Sequence, residues 1–284
     1  MAVWRIDAGE GPRLAIGPPD DGPRSLLPPG LRVSDLLRDG GWGQVTALAG
    51  AADPVPDGAR LLAPVDDQDV WAAGVTYVRS RDARLAESGQ LDAYDQVYLA
   101  DRPELFWKAG PGEARGPGET VGIRADSTWD VPEPELAVVV DAGGRIVAAC
   151  IGNDMSSRSI EGENPLYLPQ AKIYRHSVAL GPALVPWDDV PDLLSGRVSL
   201  AIRRHGQLVV DDSVPLDDLH RTPQDLVSWL VRARNFPPGV VLLTGTGIVP
   251  PPDFTLAAGD EVRIAITGLG ELLNVVEVVG TAWT

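Results

Sequence analysis

Three carboxylates and one lysine are carried by a single stretch, EPELAVVVDAGGRIVAACIGNDMSSRSIEGENPLYLPQAK, which occupies residues 133–172. Glu133 and Glu135 are two residues apart, so on an extended chain both side chains leave one face, roughly 6–7 Å apart along the strand. One cation can bridge that spacing. Residues 136–140 form a β-branched apolar run, DAGG at 141–144 is turn chemistry, and 146–151 is a second apolar run, which together predict a hairpin. With the turn centred near Ala142 and Gly143, Glu133 is expected opposite Gly152, and Asp154 just past the open end beside Glu133. Like charges gathered without a counter-ion raise one another's pKa values and cost stability, so three acids at one point ask for a hard cation such as Mg²⁺. A Glu-x-Glu pair is in general more often a solvated face, but solvated edges rarely run straight into AVVV. Pro134, which donates no ladder hydrogen bond, suits the end of an edge strand at a site.

Other residues carry chemistry only in company. Lys172 would be an ordinary solvated lysine alone; beside three carboxylates and a cation it would bind a substrate carboxylate or carry a proton. Glu104 is isolated in sequence and by default a surface residue. Gly245-Thr246-Gly247 reads as a tight turn, or as a source of backbone N–H groups for an anion. His176, His205 and His220 show no ligand pairing, and His205 reads as a hairpin-turn residue. Dinucleotide, P-loop and Gly-x-Ser-x-Gly fingerprints are absent.

The elements that must position these residues are short. At 284 residues the chain is 44% hydrophobic and 23% charged, with a formal charge of −16 and a pI near 4.5. That balance argues against nucleic acid or an anionic membrane as partner, and a small anionic substrate would need a local positive device. The single cysteine, Cys150, lies in an apolar run, which leaves no disulfide framework and no cysteine metal site. With no apolar stretch near the ~20 residues of a membrane span and no secretory signal at residues 1–5, the expected compartment is the cytoplasm. Residues 1–65 read as a small N-terminal unit with strands near 3–6 and 14–16, a short helix capped by Ser34, and a surface linker at 47–64. Residues 66–284 read as the catalytic domain. A strand at 70–75 leads into a polar helix through residue 86, and the one long helix starts at Thr222 with Pro223 in its first position. Many short strands with Gly and Pro turns and few helices give an α+β, β-rich fold class.

In combination, GVTYVRS at 74–80, LFWKAGPG at 105–112, EPELAVVV at 133–140, GNDMSSRS at 152–159, LPQAK at 168–172, LGP at 180–182 and LTGTG at 243–247 resemble, in the same order, the fumarylacetoacetate hydrolase family over roughly residues 65–284. The resemblance implies a mixed β-sandwich roll and a homo-oligomer, dimer or tetramer. It also implies Mg²⁺, with Mn²⁺ or Ca²⁺ as substitutes, held by Glu133, Glu135 and Asp154 and chelating a 2-oxo carboxylate. Hydrolytic and decarboxylating members tend to carry Asn-Tyr-x-x-His at the first element, with the histidine activating water. This chain has Thr76-Tyr77-Val78-Arg79-Ser80 there, so Ser80 takes the histidine position. Residues 102–106, 162–172 and 243–251 are similar to the 2-keto-3-deoxy-D-arabinonate dehydratase branch, in which the residues matching Glu104 and Lys172 are implied to be the acid–base pair. Arg79, Ser80, Gly245 and Thr246 are then the substrate-binding candidates.

The resulting expectation is a lyase that dehydrates a 2-keto-3-deoxy sugar acid. Competing readings keep the metal but cleave a C–C bond in a 2,4-dioxo acid or decarboxylate oxaloacetate, let Lys172 form an imine with the ketone, or make the protein a non-catalytic metal or ligand sensor.

Overall fold

The apolar run at 136–140 becomes the interior of a sheet. The computed structural model describes residues 1–38, 40–48, 53–77, 96–189 and 195–280. Among these, the first strands in chain order are β1 (Ala2–Asp7), β2 (Pro12–Gly17), β3 (Ser25–Leu26), β4 (Arg60–Leu61), β5 (Asp69–Gly74), β6 (Glu104–Ala109), β7 (Thr120–Arg124) and β8 (Asp130–Val131). There follow β9 (Pro134–Val140), β10 (Ile146–Asp154), β11 (Ser156–Ser157), β12 (Val178–Pro186), β13 (Arg197–Arg204), β14 (Gln207–Pro215), β15 (Val240–Leu243), β16 (Glu261–Ile266) and β17 (Gly270–Val279). Ten of them make one mixed sheet in the order β3-β2-β1-β12-β10-β9-β15-β5-β6, with β4 beside β1. Five more make a second sheet, β14-β13-β16-β17-β7.

The two sheets share a core, as in a sandwich. From β9, Leu136, Val138 and Val140 pack in one cluster with Leu200, Ile202, Ile264 and Leu272 of the smaller sheet. The other face of β9, Ala137 and Val139, joins Val70, Cys150, Leu180 and Leu243 in a second cluster. A strand buried on both faces requires an unbroken apolar run, which is the physical reason for AVVV. β9 is therefore central, flanked by β10 and β15, and the edge-strand reading of Pro134 is corrected: its missing N–H is tolerated because it is the first residue of the strand.

The β9–β10 hairpin is closed by Asp141, whose Oδ1 accepts the N–H groups of Gly143 and Arg145, each at 2.9 Å. The expected register is corrected by two residues. One comes from the wider turn, where Ile146 faces Val140, and one from a bulge between Ile146 and Ala148. Gly152 thus faces Glu135, and Asp154 donates its N–H to the Glu133 carbonyl at 2.9 Å. A shift of two keeps every side chain on its face, so Asp154 comes level with Glu133 on the expected side.

The N-terminal strands extend the same sheet through β1 and β12, with Val3 opposite Leu184. The short helix α1 (Val33–Leu36) begins before the expected Ser34 cap, because the Asp66 carboxylate accepts the N–H groups of Val33 and Ser34 at 2.6 and 3.1 Å. No described helix is long and apolar enough to cross a membrane. The polar helix expected through residue 86 lies outside the described residues.

Two further short helices, α2 (Arg158–Glu163) and α3 (Leu168–Lys172), fill the connection from β11 to β12. Helix α4 (Pro223–Leu230) starts as expected: Thr222 Oγ1 accepts the Asp225 N–H at 3.1 Å, and Leu226, Val227 and Leu230 are buried.

Candidate active site

The open end of the β9–β10 hairpin meets the ends of β5, β6 and β15 and the C-terminus of α3. There Glu133, Glu135, Asp154, Glu104, Lys172, Gly245 and Thr246 line one cleft. Seven of the nine expected site residues are thus brought together. The other two, Arg79 and Ser80, lie outside the described residues. None of the three histidines lines the cleft.

Glu133, Glu135 and Asp154 each offer a carboxylate oxygen to a cluster in which all three lie within 4.8 Å of one another. The alternation of β9 and its cross-strand pairing with β10 put the three side chains on one face. Each residue is at most 4% exposed. Opposite oxygens of an octahedral Mg²⁺ stand about 4.2 Å apart, so the cluster is close to a size that one such ion spans.

Cations hold the acids in place. Lys172 Nζ donates to Glu133 Oε2 at 2.6 Å, to Asp154 Oδ2 at 3.2 Å and to Ser156 Oγ at 2.5 Å. Arg158 Nη2 donates to Glu133 Oε1 at 2.9 Å. Lys108 Nζ lies 2.5 Å from Asp154 Oδ1 and donates to the carbonyls of Met155 and Lys172, tying the end of β10 to the end of α3. Burial pushes the Lys108 ammonium pKa down, opposed by the adjacent Asp154. The Glu135 carboxyl is pushed well above the usual glutamate range, first by burial and then by Asp154 and Glu133, with Lys172 and the Gly245 N–H pulling the other way.

Counted formally among the described residues, the site sets the carboxylates of Glu104, Glu133, Glu135, Asp154 and Glu161 against Lys108, Lys172 and Arg158. The acids exceed the bases by two, the charge of one divalent cation. An all-oxygen, carboxylate-rich donor set suits a hard ion such as Mg²⁺. The residues present therefore fit the metal.

Lys108, Arg158 and Glu161 are functional candidates that sequence reasoning missed. A signal for Lys108 existed: Glu104, Phe106 and Lys108 alternate along β6 and so tend toward one face. Arg158 and Glu161 are three apart, hence neighbours on the surface of α2. Removing Lys108 leaves a buried carboxylate short of a partner. In metal-free protein Lys108→Met is expected to cost about 3–5 kcal/mol, a Tm fall of roughly 6–12 °C in calorimetry.

The Gly245 N–H, in the segment read as a tight turn or a source of N–H groups for an anion, is donated to the Glu135 carboxylate oxygen Oε2 at 2.6 Å. That geometry needs glycine: φ at Gly245 is 91°, and an added Cβ would stand 2.0 Å from Thr76 Oγ1. Thr76 itself donates to the Thr244 carbonyl at 2.7 Å, locking the end of β5 to the loop after β15. The Thr246 hydroxyl is engaged locally with Ile248. Just past β5, Val75 adopts φ 55°, a rare conformation for a β-branched residue and one that clusters at functional sites.

A family model described as the C-terminal region of fumarylacetoacetate (FAA) hydrolase matches residues 69–277. A probable 2-keto-3-deoxyxylonate dehydratase from Haloferax volcanii is 45% identical over 251 residues, 87% of this chain and 86% of the relative. The 2-dehydro-3-deoxy-D-arabinonate dehydratase of Saccharolobus solfataricus is 39% identical over 222 residues, 77% of this chain and 74% of the relative. Among solved structures, 2-keto-3-deoxy-D-arabinonate dehydratase complexed with magnesium and 2,5-dioxopentanoate superposes with a TM-score of 0.85 at 31% identity, over 99% of this chain and all of that one.

Proposed function

This chain belongs to the fumarylacetoacetate hydrolase family, and from that premise we propose that it is a Mg²⁺-dependent hydro-lyase converting a 2-keto-3-deoxypentonate to 2,5-dioxopentanoate and water. The observation that carries the reading is the meeting of Glu104 and Lys172, from β6 and α3, at a cleft that also contains the Glu133, Glu135 and Asp154 carboxylates. A 2-keto-3-deoxypentonate keeps one stereocentre, C4, which disappears in the product. Acids derived from arabinonate and xylonate of one series are therefore the same compound, so D-series substrates of the two named kinds are one molecule.

Glu133, Glu135 and Asp154 would hold Mg²⁺, whose chemistry there is Lewis-acid polarisation of the substrate's 2-oxo carboxylate. The remaining work is proton transfer by this chain. A C3 proton must leave and the C4 hydroxyl must be protonated as it departs as water, giving a C3=C4 alkene conjugated with the ketone. Loss of a C5 proton and return of a proton to C3 then yield the enol of the C5 aldehyde, which tautomerises to the product. Lys172 and Glu104 share these transfers. Lys172 is held beside the three acids by its bonds to Glu133, Asp154 and Ser156, and Glu104 approaches from β6. Burial of Glu133, Glu135, Asp154 and Lys172 keeps bulk water from competing. Ser80 and Arg79, with Thr246, complete the substrate contacts in this reading, and a homodimer or homotetramer in the cytoplasm is its expected setting.

Purified protein with Mg²⁺ and 2-keto-3-deoxypentonate is expected to form a semialdehyde, read by a coupled aldehyde dehydrogenase, and EDTA is expected to abolish it. Release of pyruvate from acylpyruvates, with no semialdehyde from any 2-keto-3-deoxy acid, would replace the dehydratase with a C–C hydrolase. Light scattering after size exclusion checks the assembly.

A further inference from the structure

We infer that Gly74 is a positioning residue for Glu104: the absence of a side chain at position 74 is what allows the Glu104 carboxylate to lie where it does in the cleft. The inference rests on the reading of Glu104 as a proton-transfer residue.

Gly74 and Glu104 are direct cross-strand partners, the last pair between β5 and β6. Partners in an antiparallel pair project to the same face, so any side chain on residue 74 competes with Glu104 for one volume. An ideal Cβ built on Gly74 stands 2.0 Å from Glu104 Oε2, 2.7 Å from Cδ and 3.4 Å from Cγ. Those are its three nearest atoms, and no backbone atom is among them. The carboxylate thus lies directly over the Gly74 Cα, and both residues line the cleft.

The backbone itself does not require glycine here. Gly74 is not among the residues with positive φ, so alanine can adopt its conformation, in contrast to Gly245. The atoms an alanine methyl would meet are the far end of a side chain with three rotatable torsions. They can swing away without any shift of the backbone. Ordinary contact between the methyl and the carboxylate needs about 3.5 Å, so the carboxylate must move by more than about 1 Å. Displacement of a reacting group on that scale lowers rates by about 10²-fold. Glycine at 74 therefore bears on the reaction, through Glu104, and little on stability.

The test compares Gly74→Ala, Glu104→Gln, Glu104→Asp and the double variant Gly74→Ala/Glu104→Asp. Gly74→Ala is expected to lower kcat about 100-fold while KM changes less than about threefold. Its Tm and the Mg²⁺ concentration giving half-maximal thermal stabilisation are expected to match those of the unmodified chain. Aspartate is one methylene shorter and withdraws from the new methyl, so the double variant is expected to be no slower than Gly74→Ala alone. Glu104→Gln separates the two levels of the reading. If Glu104→Gln keeps full activity, the role of Glu104 fails and the inference falls with it. If Glu104→Gln loses at least 100-fold while Gly74→Ala stays within about threefold of the unmodified chain, only the inference is overturned. Losses that simply multiply in the double variant, or a Gly74→Ala defect accompanied by a Tm fall of more than about 5 °C, would likewise overturn it, making Gly74 independent of Glu104 or merely structural.

Discussion

Lys172→Met is expected to lower kcat for dehydration by about 10³-fold, within the range seen when a general acid–base group is removed. The residue is 2% exposed, its ammonium bonds two of the three acids and Ser156, and it lies 5.8 Å from the Phe106 ring centroid. Two roles are compatible with that placement, electrostatic support of the acids and proton transfer, and Lys172→Arg separates them. Arginine keeps the charge but cannot be deprotonated in a protein, so a proton-transfer role predicts that Lys172→Arg is as inactive as Lys172→Met. A Lys172→Arg enzyme within tenfold of the unmodified chain would remove proton transfer from Lys172. Borohydride added with substrate is expected to leave activity intact, because the mechanism involves no imine; irreversible inactivation would point to covalent catalysis instead.

Glu135→Gln is expected to abolish Mg²⁺-dependent activity and, in EDTA, to raise stability at neutral pH. The sign follows from linkage. Burial and the neighbouring Asp154 and Glu133 raise the folded-state pKa of Glu135 above its ordinary value of 4.5, so over that interval the folded chain holds a proton that the unfolded chain has released. Stability from this group is fully present below about pH 4.5 and is lost as pH rises through the folded pKa. Glutamine cannot ionise, so the variant lacks that loss, and its amide oxygen still accepts the Gly245 N–H. Added Mg²⁺ reverses the order. At a free concentration 100 times its Kd the ion stabilises the unmodified chain by about 2.7 kcal/mol, whereas Glu135→Gln gains little. Calorimetry across pH 4–8, with EDTA and with Mg²⁺, reads both effects. An equal Mg²⁺-dependent rise in Tm for the variant would remove Glu135 from the ligand set.

The hairpin illustrates how legible such a site is in sequence. AVVV and DAGG located β9 and its turn, because a doubly buried strand and a tight turn each leave a local compositional mark. The register came out two residues off, since a bulge and a wider turn carry no such mark. The chemistry survived the error because side-chain direction along a strand has a period of two. Glu104 and Lys172 have no local signal, and their pairing as acid and base rests on resemblance alone.

Sequence by itself determined the β-rich fold class, the three acids on one face of a hairpin, and the family pattern, since these rest on alternation, turn chemistry and ordered motifs along the chain. Tertiary structure alone decided how the charges are compensated. Arg158 reaches Glu133 across 25 residues, Lys108 meets Asp154 from another strand, and the Gly245 N–H turns to Glu135 across 110 residues. It also set Gly74 against Glu104. Buried charges must find partners wherever the chain brings them, and pairings between distant segments have no periodicity that a sequence can display.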